Sequence, residues 1–172
     1  MNNFNLDKYI DSIQDFPQKG ILFRDISPLL ENNEAMTAVI NIFEEKAKLT
    51  NVDLIAGIES RGFLFSTLLA NKLKIGSFMI RKPKKLPGEV YEKSYSLEYG
   101  DSSLSIQKSR DINNKNIIIV DDLIATGGSL ACSESLIKRA KGNVIKSFVL
   151  IELTKLNGRK FIEKDLFSIK KY

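Results

Sequence analysis

The thirteen residues Ile117–Ser129, reading IIIVDDLIATGGS, constrain this chain more than any other stretch. Four branched aliphatic residues in a row, Ile117 to Val120, predict a strand buried on both faces, as in a parallel sheet. A loop from Asp121 to Gly128 follows, and then a helix from Ser129 to Lys141. The glycines let backbone N–H groups close around an anion, the helix N-terminus adds a favourable field, and Thr126 and Ser129 add hydroxyl donors. That combination is a phosphate cradle. Asp121 and Asp122, just upstream, would be repelled by a phosphate and must face sugar hydroxyls or a divalent ion instead. The ligand implied is a sugar phosphate.

Two other phosphate-binding designs are excluded by what the chain lacks. Aliphatic residues followed by Asp-Asp also occur in Walker B strands, but there is no Gly-x-x-x-x-Gly-Lys-Ser/Thr anywhere in the sequence. Nor is there a Gly-x-Gly-x-x-Gly, and the carboxylates precede the glycine turn, opposite to the dinucleotide fingerprint.

The rest of the chain supplies the elements such a sheet needs. Met36, Val39, Ile40, Phe43 and Ala47 recur at helical spacing between Asn33 and Leu49. Val52–Ile58 predicts a strand that breaks at Glu59-Ser60-Arg61-Gly62 into a helix over Phe63 to Leu73. Ile75–Ile80 predicts a strand, Arg81 to Glu92 an extended basic loop, and Ser94–Tyr99 with Ser103–Gln107 a hairpin around Gly100-Asp101. Val144–Ile151 predicts one more strand. The fold class is therefore α/β, doubly wound, a mainly parallel sheet with helices on both faces and a flexible hairpin flap. At 172 residues a single domain spanning 1–172 is expected.

Composition narrows the chemistry. The chain has no histidine, which removes every mechanism with an imidazole base or ligand and leaves carboxylate, lysine or tyrosine as acid or base. Of six arginines, Arg24, Arg61 and Arg81 fall in the segments discussed here, whereas the lysines are spread out. The net charge of +5 thus points to local anion sites and not to a nucleic-acid face. A single cysteine, Cys132, cannot form an internal disulfide, and Met1–Asp7 lacks the basic-then-apolar pattern of a leader. No apolar run approaches a membrane span. A cytoplasmic protein without membrane or nucleic-acid partners is expected.

The Asp-Asp…Thr-Gly-Gly-Ser pattern resembles the phosphoribosyl pyrophosphate motif of the type I phosphoribosyltransferases, with Ser129 where threonine is commoner. Four further segments are similar to the adenine phosphoribosyltransferases within that family. They are Asp15-Phe16-Pro17 to Phe23-Arg24-Asp25-Ile26, Gly57 to Phe63, Ile80 to Gly88, and Ser94 to Gly100. The resemblance implies transfer of a phosphoribosyl group from phosphoribosyl pyrophosphate to adenine, giving AMP and pyrophosphate in purine salvage. It also implies Mg2+ carried with the sugar substrate, near Asp121 and Asp122, and a homodimer.

Residue roles follow by the same resemblance. Asp121 and Asp122 hold the ribose hydroxyls, and Ala125, Thr126, Gly127, Gly128 and Ser129 the 5′-phosphate. Glu59, Ser60 and Arg61, with Arg81, Lys82 and Lys85 on the closing loop, bind pyrophosphate; Lys84 is left to solvent. Leu22, Phe23 and Arg24, in a base-binding segment at 15–30, take adenine together with Leu153. Glu98, on a flexible flap at 82–107, is the candidate catalytic residue, managing a proton on the purine imidazole or positioning Arg61. Two alternatives stay open: a phosphoribosyltransferase for xanthine, hypoxanthine or guanine, and a non-catalytic regulator that senses phosphoribosyl pyrophosphate.

Overall fold

A computed structural model describes residues 4–97 and 100–172. Residues up to Ile42 and residues from Phe43 onward form two compact units.

In the first unit, strands β1 (Asp11–Gln14) and β2 (Leu22–Asp25) pair antiparallel, with Ile13 opposite Phe23 and Ser12 opposite Arg24. Asp15 closes the connection by accepting the Gly20 N–H at 2.7 Å. Asp25 accepts both the N–H and the hydroxyl of Ser27, fixing the entry to helix α1 (Ser27–Glu31), and Pro28 sits in its first turn, where no backbone donor is needed. Asn32 caps the next helix, α2 (Asn33–Ala47), through the Ala35 N–H at 2.9 Å. Along α2 the residues Val39, Ile40, Phe43 and Ala47 are buried as the sequence predicts, while Ala35 is buried in place of Met36, which is half-buried.

The second unit is built on five parallel strands in the order β4-β3-β7-β8-β9, where β3 is Leu54–Ile58, β4 Gly76–Ile80, β7 Asn116–Ile124, β8 Asn143–Glu152 and β9 Leu166–Lys171. Helix α3 (Gly62–Leu73) carries the chain from β3 to β4 on one side, and α4 (Gly128–Arg139) carries it from β7 to β8 on the other. One face of the sheet, with Ala56, Ile58, Ile117 and Ile119, packs against Leu130, Leu136 and Ile137 of α4. The alternate residues Ile55, Ile118 and Val120 are buried on the opposite face, under α3. There Phe148 stacks on Phe43 at 5.4 Å, with Phe167 set edge-on to both. The sheet is doubly wound, and its connections diverge between neighbours β3 and β7, where such sheets open a ligand crevice at their carboxyl ends.

Strands β5 (Val90–Leu97) and β6 (Gly100–Gln107) form an antiparallel hairpin. Leu104 and Ile106 bury it in the α4-side core, and Ser105 exchanges two backbone hydrogen bonds with Arg81, at 3.0 and 2.7 Å, just past the end of β4.

Several elements differ from the sequence expectation: β5 begins at Val90, inside the segment expected as a loop to Glu92, and β1, β2 and α1 have no counterpart in it. The strand expected to end at Val120 runs on to Ile124, so Asp121 and Asp122 lie within β7 and not in a loop; Asp121 pairs in register with Val149 and Leu123 with Ile151. Hydropathy drops at the carboxylates, but backbone pairing does not depend on side-chain polarity. Residues Leu166–Lys171 near the C-terminal end supply β9, the edge strand beside β8.

Candidate active site

Gly62 decides how close α3 comes to β7. A Cβ there would lie 2.6 Å from the Val120 carbonyl oxygen and 3.1 Å from Asp121 Oδ1, so only glycine lets the start of α3 rest on the end of β7. Its neighbour Arg61 thereby reaches Asp122, Nη2 to Oδ2 at 2.9 Å. Glu59 stands before a cis Glu59–Ser60 peptide. Its carboxylate takes Arg81 in a two-pronged pairing, Nε and Nη2 each at 3.2 Å, and also accepts the Lys82 N–H at 2.9 Å. The third arm of Arg81 donates to the Lys85 carbonyl at 3.0 Å, and its guanidinium lies over the Phe63 ring. Glu59 lines the same cavity as Arg61 and Asp122, and its contacts with Arg81 and Lys82 hold its carboxyl below the ordinary range despite burial.

Ser60, Arg61 and Lys82 from one side, and Asp121, Asp122 and Ser129 from the other, enclose a cavity of about 340 Å³. Tyr95 of β5 lines it too, and also a second cavity of about 270 Å³ against Thr126 and Gly128, with Lys93 and Phe161 at its walls. Lys85 is exposed, and Ala125 and Thr126 are half-buried on the turn from β7 to α4. In that turn Gly127 takes φ +84°, a left-handed conformation that suits glycine, and its carbonyl accepts the Ala131 N–H to start the helix. The first-turn amides of α4 therefore open toward the crevice end of the sheet.

The electrostatics are those of a site built for a cationic or hydroxyl-bearing partner. Burial, and then the adjacent Asp122 charge, push the Asp121 carboxyl well up, although Asp121 Oδ1 accepts the Asp122 N–H at 2.9 Å. Burial also raises Asp122, against the opposing pull of Arg61. Two desolvated carboxylates share one guanidinium, and hydroxyl donors or a divalent ion would relieve both. No cluster of three or more metal-ligating side chains occurs among the described residues. One or two carboxylates are what Mg2+ uses when substrate phosphates and water fill its other positions, so the pair fits an ion that arrives with its ligand.

Leu153 is half-buried and donates its N–H to Ile124 at the end of β7. In the first unit, Leu22 is exposed, Phe23 packs edge-on against Phe16 at 5.0 Å, and Arg24 bonds the Ser12 hydroxyl. Glu98 lies outside the described residues. Sequence reasoning did not single out Tyr95, although it lies in the quoted hairpin segment, nor Gly158, whose backbone abuts the phosphate-type turn. The only local signal for the latter is the Asn157-Gly158 pair, which predicts a turn without saying what the turn touches.

The phosphoribosyl transferase domain family matches residues 26–172. The chain is 44% identical over 166 residues to an adenine phosphoribosyltransferase of Synechococcus sp. (strain CC9902), covering 96% of this chain and 95% of the relative. The crystal structure of adenine phosphoribosyltransferase from Thermoanaerobacter pseudethanolicus superposes with a TM-score of 0.94 at 41% identity, covering 97% of this chain and 98% of that one. The Saccharomyces cerevisiae adenine phosphoribosyltransferase, complexed with adenine and an imino-altritol bisphosphate, is similar at a TM-score of 0.91 and 37% identity, over 96% of each chain.

Proposed function

The chain belongs to the adenine phosphoribosyltransferases of the phosphoribosyltransferase family, and on that premise we propose that it joins adenine to phosphoribosyl pyrophosphate, releasing AMP and pyrophosphate. The observation that carries this reading is the meeting, around one cavity, of Arg61 and Lys82 with Asp121, Asp122 and the Ser129 end of α4. Cations for a diphosphate, carboxylates for sugar hydroxyls and a helix N-terminus for a phosphate are the three recognitions the sugar substrate needs. The iminosugar bisphosphate and adenine held by the yeast relative have the same chemical character.

In the reaction a purine ring nitrogen forms a bond to C1 of the ribose as the C1–oxygen bond breaks. Pyrophosphate leaves with the electron pair, and the imidazole proton of adenine is lost. Positive charge builds on the ribose in the transition state, as in glycoside cleavage, so stabilising the departing diphosphate and excluding water are the main tasks. Ser60, Arg61, Arg81, Lys82 and Lys85 receive the diphosphate, and Glu59 sits among them holding Arg81. Asp121 and Asp122 accept the ribose hydroxyls, Asp122 trading its hold on Arg61 for them, while Ala125–Ser129 hold the 5′-phosphate. Asp121 and Asp122 would hold a Mg2+ ion arriving with the substrate, which would supply charge neutralisation to the phosphates.

Leu22, Phe23 and Arg24, in the base-binding segment at 15–30, and Leu153 are assigned to adenine. Glu98 is assigned to the imidazole proton, and the hairpin at 82–107 to closure over the reacting groups. The chain works as one domain, in a homodimer, in the cytoplasm. Incubating the protein with phosphoribosyl pyrophosphate, Mg2+ and each of adenine, hypoxanthine, guanine and xanthine tests this reading. AMP formed fastest, with equimolar pyrophosphate, is the expected result. Preference for another base would reassign the substrate, and no nucleotide from any base would remove the enzymatic reading.

A further inference from the structure

We propose that Arg159 and Glu152 are positioning residues for the phosphate-binding turn, acting through Gly158; the proposal rests on the assignment of Ala125–Ser129 to the 5′-phosphate. Gly127 and Gly158 lie backbone against backbone. A Cβ on Gly127 would run into the Gly158 carbonyl oxygen, and one on Gly158 would run into the Ala125 carbonyl oxygen and come to 2.9 Å from Gly127 N. No side chain intervenes to absorb a displacement, so any shift of Gly158 passes directly to the turn.

Gly158 is itself held by its neighbour. Arg159 grips the carboxylate of Glu152 with Nε at 2.6 Å and Nη2 at 2.7 Å, while Nη1 donates to the Leu166 carbonyl at 2.9 Å. Ser168 adds a hydroxyl to the same carboxylate at 2.6 Å. Glu152 is buried, and these contacts, Arg159 foremost, hold its carboxyl below the ordinary range. It ends β8 in register with Ile124, the residue before Ala125. The phosphate-binding turn is therefore gripped from two directions by one ion pair: through the sheet at Ile124, and through Gly158 at Gly127. A guanidinium fork fixes direction as well as distance, which a lysine does not.

The alternative role is that of a staple holding the tail to the sheet. A staple affects melting and leaves ligand affinities of the folded protein alone. Gly158→Ala and Arg159→Lys separate the two roles, since the first pushes on the turn without touching the ion pair and the second keeps the charge but loses the fork. For each, thermal melting would be combined with titration of ribose 5-phosphate and of pyrophosphate, and with KM for phosphoribosyl pyrophosphate. The expected result is a loss of about tenfold or more in ribose 5-phosphate affinity for Gly158→Ala, as for one misaligned charge-assisted hydrogen bond. Arg159→Lys should show a smaller loss in the same direction, KM should follow in both, and pyrophosphate affinity should hold. Variants that melt earlier yet bind ribose 5-phosphate like wild type, or that lose both ligands equally, would overturn the positioning role. A wild-type protein that does not bind ribose 5-phosphate would instead remove the phosphate assignment beneath it.

Discussion

Adding one methyl group at Gly62 should separate the two halves of the site. The alanine Cβ would stand 2.6 Å from the Val120 carbonyl oxygen, and it must retreat by at least about 0.4 Å to reach 3.0 Å, the nearest that real Cβ atoms come. Its obstacle is backbone within a sheet strand, which cannot rotate aside. Two effects compete. Alanine favours a helix over glycine by up to about 1 kcal/mol, and less in a first turn; overpacking a close backbone approach costs about 1–3 kcal/mol. The clash wins, and for a chain of this size each kcal/mol lost lowers Tm by about 2–4 °C. Because Arg61 rides on Gly62, the same displacement pulls it from Asp122, now 2.9 Å away. A 1 Å misplacement can cost about a hundredfold, so roughly half that displacement should lower kcat/KM for phosphoribosyl pyrophosphate about tenfold. Steady-state kinetics with thermal melting reads both effects. A Gly62→Ala protein that melts higher than wild type with kcat/KM within about twofold would refute the reasoning, because α3 and β7 would then have room to spare.

Asp121→Asn should stabilise the protein while impairing it. Burial and Asp122 raise the folded-state pKa of Asp121 above its ordinary 3.8, so the cost of ionising it is full above the folded value and absent below 3.8. The variant's gain in Tm should therefore be largest above the raised folded-state pKa, shrink as pH falls through it and vanish below 3.8; an unchanged or lower Tm at the high-pH end would contradict the burial argument. Phe23→Ala should weaken adenine binding by about 1–3 kcal/mol, the worth of a lost stacking face, and leave phosphoribosyl pyrophosphate binding intact; calorimetry showing equal losses would mean that Phe23 only supports the hairpin. Glu98→Gln should lower the single-turnover rate about a hundred- to ten-thousand-fold if Glu98 handles the purine proton, and an unchanged rate would withdraw that role.

The β7 motif was legible because its signals are local: an aliphatic run, a carboxylate pair and a glycine turn all lie within thirteen residues. The same locality misplaced the end of β7, since the polarity of Asp121 marks a change of side chain and not the end of backbone pairing with Val149. Glu59 stands beside Arg61 in the sequence, but its hold on Arg81, 22 residues away, becomes visible only with the β3–β4 pairing. Gly158 was less legible still, because a backbone-to-backbone contact with Gly127 leaves no periodicity or charge pattern behind. The β1 strand likewise lacked a signal, for its residues Asp11–Gln14 are all exposed and show no alternation.

The central claim is that Asp121 and Asp122 serve the sugar substrate and not the fold. Its most direct test is AMP formation by the Asp121→Asn/Asp122→Asn protein, measured with adenine, phosphoribosyl pyrophosphate and Mg2+ beside wild type and alongside a melting curve. Cooperative melting with no detectable turnover is the predicted result, and near-normal AMP formation by the double variant would contradict it.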